Sequence, residues 1–247
     1  MSLIISCEHA VNKIPQKYVP LFQGHNEVLA SHLAYDLGAA KLAGTLAGIC
    51  KAPLYLASVS RLVVDCNRSI THRRLFSKFS YSLPPLEREA ILTRWFLPYR
   101  NAIYRAVRNS ITRSDRCLHF SVHSFTPRLH NRERKADLGL LYDPARGMEK
   151  NFALFLQKEM RTALPSCSVR LNYPYRGISD GLTAALRLSF DEKHYLGIEL
   201  ETNQGLLNPS NQWPESFLQS LGSALKRTIA NSEWLFPEKA VERYKSK

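Results

Sequence analysis

Leu3-Ile4-Ile5-Ser6-Cys7, close to the N-terminus, is an apolar run that the ionisable pair Glu8-His9 follows directly. An apolar run without alternation is typical of a short strand that is covered on both faces of a sheet. Because no basic leader precedes it, we interpret this run as the first strand rather than as a signal peptide, and we expect a cytoplasmic protein. The same arrangement, a strand that ends at ionisable residues, recurs along the sequence.

Short β-rich runs alternate with longer helical patterns. The predicted strands are Leu3–Cys7, Leu54–Ser58, Cys117–Val122, Leu138–Tyr142, Ser168–Asn172 and Tyr195–Glu201. The predicted helices are Asn26–Ala47, a segment from Pro84 to about Arg113 that Pro98 kinks or divides, Met148–Ala163 and Pro214–Asn231. This alternation predicts one α/β domain over residues 1–247, with a mostly parallel or mixed central sheet flanked by helices.

The composition excludes several classes of protein. With 45% hydrophobic and 22% charged residues in 247, the chain is neither disordered nor a coiled coil. No apolar run approaches the roughly 20 residues of a membrane-spanning helix, so we expect no membrane partner. The 5 cysteines are scattered and form no C-x-x-C pair, which argues against a zinc ribbon and against a disulfide framework.

The charge is the least ordinary property of the sequence. Lys and Arg number 34 against 21 Asp and Glu, which gives a net charge of +13. The basic clusters are Arg68–Lys78, Arg100–Arg116, Arg128–Lys135 and Lys239–Lys247. A solvated basic surface, an acidic small substrate and nucleic acid each account for such a balance. No nucleic-acid-binding motif accompanies the clusters, so nucleic acid is disfavoured, although a non-catalytic basic binding protein remains an alternative function.

Two histidines stand at the ends of predicted strands. His9 and His123 each follow an apolar run directly, and ligands of open α/β sheets bind beyond the carboxyl ends of the strands. Two imidazoles and one carboxylate with an open fourth position form a catalytic zinc site. We therefore predict that His9 and His123 bind Zn²⁺, although a single histidine of this kind is more often structural.

The carboxylate of this site has three candidates, namely Glu8, Asp36 and Asp65. Glu8 adjoins His9, but adjacent side chains on a strand point to opposite faces, so both reach one metal only if the strand has already turned. Asp36 falls within a predicted helix, where a surface carboxylate is the alternative interpretation.

Glu199 and Glu201 share one face of the last predicted strand, because side chains alternate with a period of two. A carboxylate at the end of a buried strand is unfavourable unless it is paired or functional. Near a metal it can accept a proton from water, whereas the alternative is an ion pair with arginine. We favour the catalytic role for Glu199 and the ion pair for Glu201.

Arginines beside these positions suit a carboxylate ligand. Arg61, Asn67 and Arg68 lie in one segment, and the planar guanidinium matches a carboxylate with two parallel hydrogen bonds. Arg176 lies in a turn-rich loop. A salt bridge at a strand edge and an ordinary surface loop are the alternative interpretations.

Several of these segments resemble known enzymes. Val64–Arg68, Val122–Ser124 and Ile198–Leu200 are similar, in the same order, to segments of the zinc carboxypeptidase superfamily that bind the substrate carboxylate, hold a zinc histidine and bear the general-base glutamate. The whole pattern resembles the N-formylglutamate amidohydrolase family more closely. The matching segments are Ser6–Ala10 with Ile14-Pro15, Tyr35–Ala39, Ser60–Arg68, His123–Phe125 and Gly197–Leu200.

The resemblance implies a phosphorylase/hydrolase-like fold and a zinc enzyme that hydrolyses N-formyl-L-glutamate, a small acidic N-acyl amino acid, to glutamate and formate. It implies that Glu199 transfers the proton and that Asn67 and Arg68 bind the α-carboxylate. Arg176 is then a candidate for stabilising the oxyanion, and Arg61 or Arg176 for a side-chain carboxylate. A metallo-amidase or carboxypeptidase acting on another N-acyl amino acid or peptide is the alternative enzyme.

One departure from the carboxypeptidase pattern affects the ligands. Carboxypeptidases use His-x-x-Glu for the first two zinc ligands, whereas this chain has His9-Ala10-Val11-Asn12. Asn12 is a poor zinc ligand, so the acidic ligand must come from elsewhere, and we predict Glu8 before Asp36 or Asp65. The sequence gives no indication of an oligomeric state.

Overall fold

The computed structural model describes residues 1–231 and 233–235, so the basic cluster Lys239–Lys247 lies outside the described residues. The strands are β1 (Ser2–Cys7), β2 (Leu54–Leu56), β3 (Cys117–Phe125), β4 (Arg128–Leu129), β5 (Arg132–Glu133), β6 (Leu138–Leu141), β7 (Val169–Leu171) and β8 (Tyr195–Asn203). Each of the predicted apolar runs is a strand, so these predictions are confirmed.

The central sheet is mixed. Its strand order is β2-β1-β3-β8-β6-β7, while β4 and β5 form a separate hairpin. Every pair in the central sheet is parallel except β6 with β8, which run antiparallel. The prediction of one α/β domain with a parallel or mixed sheet is confirmed, and its extension to residue 247 stays a prediction.

The helices are α1 (Asn26–Leu29), α2 (Ala39–Cys50), α3 (Lys78–Tyr81), α4 (Pro85–Ile91), α5 (Leu97–Ser114), α6 (Gly147–Ala163), α7 (Leu182–Arg187) and α8 (Glu215–Ala230). The predicted helices that correspond to α6 and α8 are confirmed. The segment after Pro84 is helical as predicted. A π-helical stretch, Leu92–Phe96, separates α4 from α5 without a break in the helical backbone, and Pro98 lies at the start of α5. None of the helices within the described residues is long and apolar enough to cross a membrane.

The prediction of one helix over Asn26–Ala47 is wrong. Residues 30–38 form turns between α1 and α2. Gly38 has a φ of 78°, a left-handed conformation that ends regular helix and favours glycine. A Cβ at Gly38 would lie 2.7 Å from the indole of Trp213, which donates a hydrogen bond to the Gly38 carbonyl. As a result Asp36 lies in a turn, where its N–H donates to the His9 carbonyl, rather than on a helix surface.

Helices cover both faces of the sheet unequally. Ile5, Leu118 and Leu196 pack in the main core with α2, α6 and α8. Their neighbours Ile4 and Tyr195 pack on the opposite face in a smaller cluster that includes residues of α5 and α7. Toward the carboxyl ends of β3 and β8 this second face carries polar residues, and it is there that the cavity described below lies.

The loops beside that face have a core of their own. A separate apolar cluster contains Tyr18, Phe22, Ala34, Val59, Leu62, Val63, Val64, Leu75, Phe79, Ile91 and Phe96. These buried side chains are interspersed with the polar residues of the segments 31–36 and 59–68. The cluster therefore fixes the two segments that contribute Asp36, Arg61 and Asp65 to the site.

Candidate metal centre and active site

The register of the parallel strands brings four polar side chains to one face. Ser121 of β3 lies opposite Glu199 of β8, and two residues further on His123 lies opposite Glu201. Because side chains alternate along a strand, all four project from the same side of the sheet. β1 ends at Cys7, and the chain has turned at residues 8 and 9, which directs His9 toward this group.

Two imidazoles and one carboxylate converge at this edge. The rings of His9 and His123 lie 5.0 Å apart between centroids. Oδ2 of Asp36 lies 2.8 Å from Nδ1 of His123 and 3.3 Å from Nδ1 of His9. One ligand atom from each of the three residues falls within 4.8 Å of the other two, and all three residues are buried. Two imidazole nitrogens and one carboxylate oxygen are the donor set of a catalytic zinc site, so the group fits that metal.

The far side of each imidazole ring is held by a second carboxylate. Nε2 of His9 lies 2.7 Å from Oδ1 of Asp65, and Nε2 of His123 lies 3.1 Å from Oε2 of Glu8. An ionised carboxylate only accepts, so each Nε2 carries a hydrogen, and each Nδ1 can offer its lone pair to a cation once it has released its own proton. This arrangement orients both rings with their Nδ1 atoms toward Asp36.

Glu8, our first choice for the acidic ligand, thus occupies another position. Its carboxylate lies behind His123, where Ser121 and the Tyr99 hydroxyl also donate hydrogen bonds to it. The group of converging ligand atoms contains Asp36 instead. The physical reason is the turn at residues 30–38, which the helical pattern of the sequence concealed. Asn12, as expected, is not part of the site, because it donates to the Leu29 carbonyl at the surface.

The carboxylates of Glu8, Asp36 and Asp65 are buried but ionised, which favours a bound cation. Burial alone would raise the pKa of Asp36 and of Asp65, but the charge of His9 outweighs it, and both pKa values lie well below their usual range. For Glu8, burial is likewise outweighed by the hydrogen bond and charge of His123, so its pKa is also lowered. The same contacts, to Asp36 and Glu8, outweigh burial at His123 and raise its pKa well above the usual value.

The two glutamates of β8 differ in their surroundings. Oε1 of Glu199 accepts a hydrogen bond from the hydroxyl of Thr183 in α7. Oε2 of Glu201 is buried and has no hydrogen-bond partner among the described residues. Burial raises the pKa of Glu201 to about 8, and the charge of His123 only partly offsets this. The arginine ion pair that we favoured for Glu201 is therefore absent from the described part of the chain.

A cavity of about 520 Å³ opens over these residues. The predicted site residues that line it are His9, His123, Glu199, Arg61, Asn67, Arg68 and Arg176. Its volume lies within the roughly 300–1,000 Å³ that is typical of pockets for small molecules. The structure therefore brings together, around one cavity, all of the predicted residues except Glu8.

Arg61, Asn67 and Arg68 of the cavity are each held by contacts with neighbouring segments. The guanidinium of Arg61 lies 3.4 Å from Asp36 and 3.3 Å from Asp65, so it joins the two segments of the site. Arg68 donates to the backbone carbonyl of Asp180, and Oδ1 of Asn67 accepts from the N–H of Leu182. These contacts fix the side chains while leaving them in the lining of the cavity.

The loop that carries Arg176 reaches the site through a close backbone contact. Gly139 of β6 lies opposite Glu201, and a Cβ at this position would lie 1.8 Å from the carbonyl oxygen of Tyr173. Only glycine permits this approach. The absence of a side chain at Gly139 therefore allows the loop beyond Tyr173 to close one side of the cavity.

Several lining residues were not predicted, among them His32, Arg74, Tyr175, Ser179 and Asp180. They lie in loops and turns, where no periodicity indicates which side chains converge. Burial and the charges of Arg61 and Arg134 lower the pKa of His32, consistent with a cationic surrounding. The basic cluster in the sequence was the one signal that pointed to Arg74.

Comparisons with known proteins agree with this arrangement. The family model described as FGase, N-formylglutamate amidohydrolase, matches residues 1–207. The gene product Atu2144 of Agrobacterium tumefaciens has a similar structure, with 26% identity, a TM-score of 0.77 and coverage of 93% of this chain and 90% of that one. The N-formylglutamate amidohydrolase of Ralstonia eutropha JMP134 shares the fold at 17% identity, with a TM-score of 0.69 and coverage of 92% of each chain.

The comparison with curated proteins gives no match. The family model nevertheless includes every residue of the candidate centre, from His9 to Glu201. Since the matched segment is most of the sequence, the chain belongs to the N-formylglutamate amidohydrolase family, and its class of activity is the hydrolysis of N-acyl amide bonds.

Proposed function

We propose that the protein is a zinc-dependent hydrolase that cleaves the amide bond of an N-acyl acidic amino acid such as N-formyl-L-glutamate, giving glutamate and formate. One observation carries the proposal. Nδ1 of His9, Nδ1 of His123 and a carboxylate oxygen of Asp36 converge at the edge of a cavity whose lining includes four arginines, at positions 61, 68, 74 and 176.

The three residues at this edge would hold the zinc ion. Zinc bound by His9, Asp36 and His123 would polarise the acyl carbonyl and lower the pKa of a water molecule in the site. Asp65 and Glu8 would keep the two imidazoles in the orientation that this binding needs, because each accepts the Nε2 hydrogen.

Glu201 is the better placed of the two β8 glutamates to move the proton. Its free Oε2 and its position opposite His123 support this role, whereas the Thr183 hydroxyl engages Glu199. The pKa of Glu201, about 8 in the metal-free protein, would be lowered by the positive charge of a bound zinc. Its ionised carboxylate takes a proton from the attacking water as the new C–O bond forms at the acyl carbon. It then gives that proton to the amide nitrogen as the C–N bond breaks, so glutamate leaves as the amine.

The cationic residues would bind the acidic part of the substrate. Asn67 and Arg68 lie side by side in the lining of the cavity and suit the α-carboxylate. Arg176 also lines the cavity and suits a side-chain carboxylate or the oxyanion of the transition state. The net charge of +13 would draw a dianionic substrate toward the cavity.

A deacylation screen tests the proposal. Protein stripped of metal is assayed against N-formyl, N-acetyl and longer N-acyl derivatives of glutamate, aspartate, glutamine and leucine, with and without added zinc. We expect turnover to require zinc, with about one zinc per chain, and to favour N-formylglutamate over the glutamine and leucine derivatives. Full turnover without metal would contradict zinc dependence, and a preference for uncharged derivatives would contradict the acidic substrate.

A further inference from the structure

A second cavity, of about 480 Å³, lies beside the one described above. Both cavities have Leu33, Arg61, Arg68 and Arg74 in their linings, so they are neighbours across these residues. We call this second cavity the basic annex. It is further lined by Arg73, Lys78, Phe76 and Tyr81, and the proposed function uses none of these four residues.

Arg61 and Arg68 of the annex are paired with carboxylates, whereas its other three cations are not paired in the described part of the chain. Within residues 1–231 and 233–235, no carboxylate oxygen lies within 4.0 Å of a side-chain nitrogen of Arg73, Arg74 or Lys78. The acidic residue of its lining is Asp65, which His9 and Arg61 already engage. Cationic groups that converge without a partner on a concave surface are suited to an anionic ligand.

The segment that lines the annex is hydrogen-bonded to a segment of the candidate active site. Leu75 and Phe79 are buried in the apolar cluster under the loops. The carbonyl of Leu75 accepts a hydrogen bond from the N–H of Asp65, and the hydroxyl of Ser77 donates to the carbonyl of Leu62. Arg73, Arg74 and Lys78 therefore extend from a segment whose backbone is anchored to the residues beside the metal centre.

The annex also has an apolar side that suits the stem of a longer ligand. Tyr81 is 62% exposed and Leu33 is 52% exposed, and both lie in its lining together with Phe76. The guanidinium of Arg88 lies 5.4 Å from the ring centre of Tyr81 and 5.9 Å from that of Phe76. An exposed aromatic wall beside cations can cover the methylene groups of a flexible acidic chain.

We propose that the basic annex binds further carboxylates of an extended substrate, so that the substrate class of this enzyme is N-acyl acidic peptides rather than single N-acyl amino acids. This inference rests on the proposed function. If Asn67 and Arg68 hold the α-carboxylate of the first residue, a chain that continues from its side-chain carboxylate passes Arg68 and enters the annex. An extended α-linked chain advances roughly 3.3–3.6 Å per residue, and a γ-linked glutamate, which has two more carbons in its backbone, advances further, so two added residues are enough to reach across a cavity of this size.

The test compares three substrates. They are N-formylglutamate, N-formyl-γ-glutamyl peptide with two further glutamates, and the same peptide with the two added residues replaced by glutamine. We expect kcat/KM for the acidic peptide to exceed that for the other two by about 2- to 30-fold, the effect of two solvent-exposed ion pairs. The neutral peptide separates the effect of charge from the effect of length.

The variants isolate the annex. The double variant Arg73→Gln with Lys78→Gln changes residues that line the annex and not the first cavity. It should lose the preference for the acidic peptide while kcat/KM for N-formylglutamate stays unchanged. Arg105→Gln with Arg108→Gln, on the exposed side of α5, removes the same charge and should keep the preference.

A binding measurement keeps this proposal separate from the proposed function. Calorimetric titration with unacylated γ-linked triglutamate should give weaker binding in the annex variant than in the wild type and in the α5 variant, even if no N-acyl compound is hydrolysed. Equal binding in all three proteins, or a preference that survives the annex variant, would overturn the proposal. So would a short single-stranded oligonucleotide that displaces triglutamate and binds more tightly, since the annex would then be a polynucleotide surface.

Discussion

The metal centre and the basic annex are neighbouring sites that differ in the burial of their charged groups and in how those charges are paired. In the centre, the buried carboxylates and imidazoles have charged or hydrogen-bonding partners, apart from Glu201, whose buried Oε2 has none among the described residues. In the annex, exposed cations such as Arg73 and Lys78 have no acidic partner in the described chain. Fixed groups with little access to water suit chemistry, because their interactions are strong and already oriented. Exposed cations suit recruitment, because their interactions are weak, adjustable and screened by salt.

The largest effect should follow from removing the shared carboxylate of the centre. We expect Asp36→Ala to abolish zinc binding and turnover, because its Oδ2 is the atom that both imidazoles face. The loss of zinc affinity should exceed the roughly 10- to 100-fold that removal of an outer partner typically costs. Metal analysis after dialysis measures it, with Asn12→Ala as the control that keeps full zinc. An Asp36→Ala protein that retains stoichiometric zinc would remove this residue from the centre.

The next effect separates the two glutamates of β8. We expect Glu201→Gln to lower kcat by about 10²- to 10⁴-fold, the usual contribution of a proton-transferring side chain. Glu199→Gln should cost less, because its carboxylate is engaged by Thr183. Both variants should still bind zinc, which distinguishes loss of proton transfer from loss of the centre. The reverse order of effects would return the role to Glu199.

Replacing the carboxylates that accept the Nε2 hydrogens of the two imidazoles should have a smaller effect than replacing Asp36 and a larger effect than changing the annex. We expect Asp65→Asn and Glu8→Gln each to weaken zinc binding by about 10- to 100-fold, because each replaces the charged acceptor of an Nε2 hydrogen with a neutral amide. Zinc titration with a competing chelator measures this. Unchanged zinc affinity in both variants would mean that these carboxylates serve only to pack the fold.

These contrasts also show what a sequence can reveal. Strand ends were predictable, because an apolar run that stops at a polar residue marks the edge of a buried strand, and this located His9, His123 and Glu199. The sequence does not choose Asp36 from the three candidates, because residues 26–47 have a helical pattern. The left-handed conformation of Gly38 and its packing against Trp213, which interrupt the helix, are visible only in the structure.

The choice between Glu199 and Glu201 could not be made from the sequence either. Both lie on one face of a single strand, and they differ only in a neighbour, Thr183, that another helix supplies. The annex shows the same limit. The run Arg68–Lys78 indicates positive charge in the sequence. The cavity that its side chains line depends on the separate apolar cluster under the loops, in which Leu75 and Phe79 are buried.

The stability of the metal-free protein should depend on pH, because the pKa values of Glu201 and His123 differ between the folded and unfolded states. Glu201 has a folded pKa of about 8, above its unfolded value, so the folded state keeps a proton that the unfolded chain releases above about pH 4.5. His123 has a raised pKa, and its stabilising charge is lost as pH rises through that value.

Glu201 therefore lowers stability as pH rises between about 5 and 8, and His123 adds to this above its ordinary pKa of about 6.5, by about 1.4 kcal/mol per pH unit for each proton. That corresponds to a fall in Tm of a few degrees per pH unit. Thermal unfolding measures it. Glu201→Gln should flatten the slope, and a wild-type protein whose Tm rises over this range would contradict the assigned sign. Added zinc should bind more tightly at high pH, since its ligands must be deprotonated.

The smallest expected effect is that of salt, which should reduce the preference for the acidic peptide but leave the zinc affinity nearly unchanged. Screening shortens the reach of exposed charges from about 10 Å at 0.1 M salt to about 3 Å at 1 M, whereas buried pairs are screened much less. We expect the advantage of the acidic γ-glutamyl peptide over N-formylglutamate to shrink a few-fold between these salt concentrations, while zinc affinity stays nearly constant. In the Arg73→Gln with Lys78→Gln protein, that ratio should already be small and should not change with salt. If the variant's ratio instead falls with salt as steeply as the wild type's, the recruiting charge lies outside the annex, and the two neighbouring cavities do not divide the work between chemistry and binding in the way proposed.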